Sequence, residues 1–374
     1  MFFPPILLVR AVEVVGAGIV GSYVSWKLGE RGWSVVLRDH SKKPWRNVCT
    51  GLVSANAVKA FPFLEEYVKN VIHGARIHAG DVELFIERRS VAYVLDRIAL
   101  GKELLERAEA SGVHVLLGER GPAGDGMVLV GADGVLSQVR RNLGLGTPRY
   151  VMGVQVTVNG TFDDYVDVYF LPGCDFFGWV VPEDHERARV GVASSGDPRP
   201  FLKKILRILG RRSTRHLAGR PIPVDHPLRR VVYGTTTLVG DSVPHTKATT
   251  GGGIYYGLLA ARALADAIHK FFSTGTLAGY QRFHANNLYP RLALHALIRR
   301  WLLGRNMEDT LRKAKDAGIE DVLSRYGDMD DPLFILNPRV WWTIVRIFYP
   351  LPYTLRRRRR SPENPSRARV SDRK

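Results

Sequence analysis

The chain has 374 residues, 45% of them hydrophobic, with 54 lysines and arginines against 36 acids and a formal net charge of +18. That length and apolar content exclude a small module and point to two domains, or one large domain with an inserted part. Cys49 and Cys174 are the only cysteines, too few for a secreted disulfide scaffold or a metal cluster, so no metal is expected.

In chain order, MFFPPILLVR is apolar for only nine positions before Arg10, and a cleaved leader would remove the strand that follows, so a cytoplasmic location is expected. Val12, Val14 and Val15 form a β-branched run suited to a buried strand. Gly16, Gly18 and Gly21 then fall at G-x-G-x-x-G spacing ahead of a helix expected over 22–30. Gly16 permits a tight turn, Gly18 leaves room for a pyrophosphate, and Gly21 allows close helix–strand packing, with the helix N-terminus facing the phosphate charge. A second strand over 34–38 ends at Asp39, placed to accept from a ribose hydroxyl. A dinucleotide is expected; these glycines alone do not separate a nicotinamide from a flavin.

CTGLVSANAVKAF (49–61) reads as a loop entering a helix, and alternating runs around Gly80 and Asp81 as hairpin strands. Helical spacing returns over 97–111, followed by a buried strand, a turn at 132–134 and a basic helix. After Tyr150 come four short strand-like runs without helices, which imply an antiparallel sheet separate from the parallel one. A basic helical piece (201–215) leads to a strand ending at Gly240-Asp241, and Gly251–Gly253 open a long Ala/Leu-rich helix. Residues 333–355 combine Trp341, Trp342, Phe348 and Tyr349 with only two arginines. Pro338, Pro350 and Pro352 argue against a spanning helix. The tail 356–374 holds nine basic and two acidic residues. Aromatics followed by basic charge suit peripheral contact with an anionic membrane; a helix packed on the protein's own core is the alternative. No nucleic-acid motif accompanies the charge, and no nucleic-acid partner is expected.

Three later stretches resemble motifs of the p-hydroxybenzoate-hydroxylase-like flavoproteins. LDRIALGKELLERAEASGV is similar to the segment in which an arginine, here Arg97, begins a helix and contacts the cofactor. GADGVLSQVRRNLGL resembles the second motif, with Asp133 and Gly134, and LVGDSVPHTKATTGGGI the third, with Gly240 and Asp241. The resemblance implies FAD. It would be held by Gly16, Gly18, Gly21, Asp39, Cys49, Gly51, Arg97, Asp133, Gly134, Gly240, Asp241 and the amides of Gly251, Gly252, Gly253 and Ile254, which offer a positive helix end to the flavin's N1/O2 edge. Within that superfamily the chain is most similar to the geranylgeranyl reductase family, including digeranylgeranylglycerophospholipid reductases, up to about Leu303. NVCTGLVS, TGGGIYYG and FFGWVVPEDHERARVGVAS carry this likeness. The last corresponds to the family's P-x-x-Y-x-W-x-F-P, keeping Trp179 and Pro182 but with Phe177 for tyrosine, Val181 for phenylalanine and Cys174 for the first proline.

The implied fold is α/β: a Rossmann-like FAD-binding domain (1–60, 97–149 and 226–300), an inserted antiparallel substrate domain (61–96 and 150–225), a C-terminal helical region (301–355) and the basic tail. The connection 115–128 is short for the family, so the sheet beside the adenosine is expected to be trimmed. The implied activity is saturation of isolated C=C bonds in prenyl chains of membrane lipids or their precursors, with an electron donor that the sequence does not identify, in a monomer at the inner face of the cell membrane. Tyr169, Phe176, Phe177, Trp179 and Pro182 are expected to line the substrate channel. Cys49 is expected beside the flavin as proton donor or redox-sensitive neighbour, with His245 as a second acid. A flavin monooxygenase, a lycopene-cyclase-like isomerase and a non-catalytic prenyl-lipid carrier share the fold and stay open at this point.

Overall fold

The structure, a computed structural model, describes residues 11–46, 49–124, 127–212 and 217–348. β1 (Ala11–Val15) turns through the glycines into α1 (Ile19–Gly29) and β2 (Ser34–Asp39). β3 (Leu52–Ser54) and α2 (Ala55–Ala60) precede a long hairpin, β4 (Val68–Ala79) and β5 (Val82–Leu95). Next come α3 (Arg97–Ala110), β6 (His114–Leu117), β7 (Val128–Gly131) and α4 (Gln138–Asn142). β8 (Tyr150–Asn159), β9 (Val166–Phe170), β10 (Gly178–Pro182) and β11 (Arg187–Ser194) follow, then α5 (Arg199–Ile208) and β12 (Ala218–Pro223). After β13 (Val232–Tyr233) and β14 (Thr236–Leu238) the chain is helical: α6 (Ile254–Thr274), α7 (Ala278–Phe283), α8 (Tyr289–Leu302), α9 (Met307–Asp316), α10 (Ile319–Tyr326) and α11 (Pro338–Phe348).

The strands form two sheets. One has six strands in the order β13-β14-β7-β1-β2-β6, parallel throughout except for β13. Its strands are apolar because helices cover them: Val12, Val14, Val35, Leu37, Val128 and Val130 pack with Val24, Leu28, Leu104 and Leu264 in one core. α1 starts at Ile19, three residues before the expected position, because Gly18 stands extended at the helix cap and its carbonyl accepts the Ser22 N–H at 2.9 Å.

The second sheet has eight strands, β12-β8-β11-β10-β9-β4-β5-β3. The strands of 61–96 and 150–225 share this sheet, as expected of one substrate domain, but it is not antiparallel throughout: β4 and β9 pair in parallel, from Ala75↔Val166 to Ala79↔Phe170. A twelve-residue strand such as β4 would otherwise leave a long open edge. Between β6 and β7 the described residues form no strand. Buried Glu13 instead accepts from the N–H groups of Ala123 (2.7 Å) and Gly124 (3.0 Å), tying that short connection to β1. α9, α10 and α11 pack on the far end of the β4–β5 hairpin, where Ala79, Val82 and Leu84 meet Leu311, Ala314, Ile319 and Ile347. No helix among the described residues is long and apolar enough to cross a membrane.

Candidate active site

One continuous cavity of about 1430 Å³ runs between the two sheets, more than the roughly 300–1,000 Å³ of an ordinary single-ligand pocket. One end is built from the turns after the parallel strands, the other from the inner face of the eight-stranded sheet, so two ligands can meet in the middle.

At the first end, Gly16 has φ +108° and a Cβ there would lie 2.4 Å from the Ala132 carbonyl oxygen; only glycine fits. A Cβ on Gly21 would lie 1.8 Å from the Gly16 carbonyl oxygen. A Cβ on Gly18 would meet nothing within 4 Å, because Gly18 lines the cavity: this is open room beside a helix N-terminus, where a pyrophosphate belongs. Asp39, 8% exposed, accepts the Ala17 N–H at 2.7 Å and the Ser41 N–H at 2.7 Å. Gly134 has φ +78°. Asp133 uses its carboxylate to cap α4, accepting from the Gln138 N–H at 2.6 Å. Gly240, Asp241, Gly251, Gly253 and Ile254 line the middle of the cavity, where the twenty-one-residue α6 begins with no side-chain cap. Its first amides are left for a ligand. Gly252 does not line it; its carbonyl accepts the Lys247 N–H.

Asp241 is more heavily engaged than its motif implies. Oδ1 accepts from Thr246 Oγ1 at 2.7 Å and Oδ2 from Arg220 Nη2 at 2.6 Å. Arg220 lies on β12 and reaches from the second sheet into the first, a residue that the motifs do not point to. Arg97, 6% exposed, lines the cavity, and its Nε and Nη1 have no hydrogen-bond partner among the described residues. A buried guanidinium with orphaned donors fits an anionic or oxygen-rich ligand. Together with the open room at Gly18, this makes the site suited to FAD. Gly51, with φ +75°, stays behind the wall; its N–H donates to Cys49 Sγ at 3.5 Å, and Cys49 itself faces the cavity.

At the other end, Phe176, Phe177, Trp179 and Val181 line the wall. Phe176 and Phe177 stack with centroids 4.3 Å apart, and Arg299 lies 4.7 Å over the Phe176 ring. Two expected substrate residues are corrected. Tyr169 does not line the cavity, because on β9 it is Val166 and Val168 that face inward; the next residue points the opposite way, and Tyr169 stacks on His78 at 4.6 Å. Pro182 ends β10 on the face turned from the cavity, where its carbonyl accepts from Asn70. The remaining walls come from Ile72, Ile77 and Ile86 on the hairpin and from Met329 and Phe334 in the C-terminal region, none marked by a local signal.

His245 is also corrected. It is fully buried, outside the cavity lining: Nδ1 accepts the Gly240 N–H at 3.1 Å and Nε2 faces His284 Nδ1 at 3.1 Å, while His284 Nε2 donates to the Leu228 carbonyl at 2.7 Å. Burial and the neighbouring His284 hold it well below its ordinary value, so it stays neutral, its one N–H directed at His284, and is not a catalytic acid. Burial likewise pushes His284 and His295 down to about 4. The unfolded chain takes up these protons near pH 6.5, so stability is lost as pH falls from there through about 4, by roughly 3 kcal/mol for each histidine at the limit. Urea titrations at pH 7 and pH 4.5 should show a lower midpoint at the acid pH; equal midpoints would contradict neutral burial.

The comparisons agree with this geometry. No family model matches the chain. The digeranylgeranylglycerophospholipid reductase of Methanothrix thermoacetophila is 26% identical over 390 residues, covering 89% of this chain and 98% of that one. A second digeranylgeranylglycerophospholipid reductase, from Methanopyrus kandleri, is 28% identical over 68% of this chain and 76% of its own length. Over most of its length the chain is thus similar to proteins named as digeranylgeranylglycerophospholipid reductases. Among solved structures, a geranylgeranyl bacteriochlorophyll reductase-like protein of Thermoplasma acidophilum superposes with a TM-score of 0.77 at 18% identity, over 90% of this chain and 96% of that one. A probable FAD-dependent monooxygenase from Pseudomonas aeruginosa superposes with a TM-score of 0.60 at 20% identity, over 78% and 95%. The fold is shared with solved FAD-dependent enzymes.

Proposed function

We propose that the protein saturates isolated C=C bonds in isoprenoid chains of membrane lipids or their precursors. The observation that carries this reading is the continuation of the cofactor end of the cavity into an apolar channel walled by Ile72, Ile77, Val168, Phe177 and Trp179. FAD supplies the electron pair and one hydrogen. An isolated alkene has no carbonyl to polarise it, so the second hydrogen must arrive as a proton at the other carbon, from a group held in a dry site. Phe177 and Trp179 can steady positive charge on a substituted carbon with their ring faces. Between the two ends stand Cys49, Arg97 and Arg220, the polar groups that can hold or move that proton. Incubating flavin-reduced protein with geranylgeranyl lipids should give products heavier by two hydrogens for each bond reduced. Unchanged mass would mean isomerisation or mere carriage, and a gain of oxygen would mean monooxygenation; either overturns the reading.

Lipid-linked substrates also account for the C-terminal surface. On α11, Val340, Thr343 and Ile347 are buried against the neighbouring helices, while Trp341 and Trp342 are each 55% exposed and Leu336 67%. Phe334, two residues before Leu336, lines the cavity. Arg339 and Arg346 belong to the same helix, so the reading is that this surface docks on an anionic bilayer and passes the chain inward; Tyr349, Pro350, Pro352 and the basic tail lie outside the described residues. Serine at both Trp341 and Trp342 should cut sedimentation with anionic phospholipid vesicles several-fold while leaving bound flavin unchanged. Undiminished sedimentation would remove this docking face.

A further inference from the structure

β5 breaks away from β4 in the middle of the hairpin. Ile72 pairs with Ala92 and Gly74 with Glu87, so His73 alone stands opposite Arg88, Arg89, Ser90 and Val91. The surplus residues bulge out of the ladder, and Ser90 is held at φ +51°, a left-handed conformation unfavourable to a residue with a Cβ. Its N–H donates to His73 Nδ1 at 3.0 Å, and the His73 N–H donates to the Asp164 carbonyl at 2.8 Å, so both sides of the bulge are tied down. Bulges of this kind re-aim side chains beside active sites. Here Arg88 lines the cavity, and after it Val91 and Ala92, neighbours in sequence, line it as well.

Among the lining residues that β4, β5, β9, β10 and the C-terminal segment contribute, only Arg88 and Asp328 are charged. Asp328 is occupied with its own turn: Oδ1 accepts the N–H groups of Asp330 (2.7 Å) and Asp331 (2.9 Å), and Oδ2 accepts from Asn56 at 3.1 Å. Glu87 accepts from Tyr165 OH at 3.1 Å, and Glu320 on α10 from the Phe85 N–H at 2.7 Å. Arg88 donates through Nη1 to the Gly327 carbonyl and has no carboxylate partner among the described residues. It is exposed and yet part of the lining, so the apolar channel meets water at its guanidinium. Gly327 belongs to the segment that continues through Phe334, in the lining, to exposed Leu336, which sets this mouth beside the proposed docking face.

We propose that Arg88 binds the phosphate of the substrate's head at the channel mouth and thereby sets which double bond lies at the cofactor end. The inference rests on the isoprenoid-reducing reading above and deepens it: the substrate is a prenyl phosphate or phospholipid, not a neutral prenyl alcohol or hydrocarbon. Burial of an apolar chain is non-directional, so an apolar wall alone leaves its register along the channel open. One charged anchor at the mouth removes that freedom. The guanidinium presents five donors in a planar fork matched to phosphate oxygens, and those not directed at Gly327 are left for the head.

The test compares geranylgeranyl phosphate with geranylgeraniol as ligands of the full-length oxidised holoprotein, followed by the change in flavin absorbance on titration. The native protein should bind the phosphate at least about tenfold more tightly, the scale of charge-assisted hydrogen bonds. In Arg88→Gln that ratio should fall toward unity, and Arg88→Lys should restore part of it. Equal affinities in the native protein, or an unchanged ratio in Arg88→Gln, overturn the proposal. An equal loss for both ligands also overturns it, because Arg88 would then serve only to hold the Gly327 segment. Displacement of geranylgeranyl phosphate by an equal concentration of inorganic phosphate would assign the arginine to free phosphate and overturn it too. In single turnovers the native protein should saturate one double bond of geranylgeranyl phosphate first, located by fragmentation of the product, and Arg88→Gln should give a mixture of positions; the same first position in both overturns the register. An Arg88-dependent preference for phosphate in a protein that saturates no alkene would support the head site and overturn the reductase reading instead.

Discussion

Replacing Lys247 with methionine should destabilise the protein by about 3–5 kcal/mol, because it strands a buried carboxylate. The side chains of Lys247 and Asp330 are only 6% and 3% exposed, with Nζ and Oδ1 2.7 Å apart. Lys247 Nζ also donates to the Met329 carbonyl at 2.7 Å, Ser54 Oγ donates to the other Asp330 oxygen, and Tyr256 OH donates to the Asp330 carbonyl at 2.6 Å. This network binds the turn before α6, the end of β3 and the C-terminal segment around 327–331, where Gly327, Asp328 and Met329 form part of the cavity wall. A Lys247→Met/Asp330→Leu protein should recover much of the loss, since apolar replacement of a whole buried pair is often neutral. Urea unfolding of both variants measures it. A single-variant cost below about 1 kcal/mol, the scale of an exposed pair, would mean that the pair is wetter than the structure shows.

Alanine at Gly21 should yield a protein purified without flavin and destabilised by about 1–3 kcal/mol or more, the cost of overpacking. Its Cβ would lie 1.8 Å from the Gly16 carbonyl oxygen and 3.2 Å from the Ala132 Cβ, both in the turns that form the cavity end. Nothing flexible is there to yield. Alanine at Gly18 is the contrast: its backbone is ordinary and its Cβ meets no protein atom within 4 Å, so thermal stability should hold while FAD affinity falls by about tenfold, near 1.4 kcal/mol. Flavin fluorescence quenching and thermal melts separate the two. Full flavin occupancy in Gly21→Ala would contradict the packing described.

The first strand, the glycines, Asp39, the strand before Gly240 and the helix after Gly253 were legible in the sequence because each is a local matter: β-branched runs, residues that alone tolerate a given turn, and apolar spacing along one helix. The antiparallel strands were legible for the same reason. Local pattern fails where an outcome depends on which surface arrives from elsewhere. Tyr169 and Trp179 both sit on aromatic-rich strands, yet only pairing of β9 with β4 and β10 decides that one faces His78 and the other the cavity. His245 stands in a flavin-like motif, but His284, thirty-nine residues on, buries it in a neutral pair. Arg220 lies in no motif, and the segment that contains Arg189 does not single it out; strand register carries them to the Cys49 carbonyl and to Asp241. The sequence by itself determined the cofactor fold and the resemblance from which the proposed chemistry follows. Tertiary structure decided which charges meet, because burial and Coulomb interactions depend on distances in space and not on spacing along the chain.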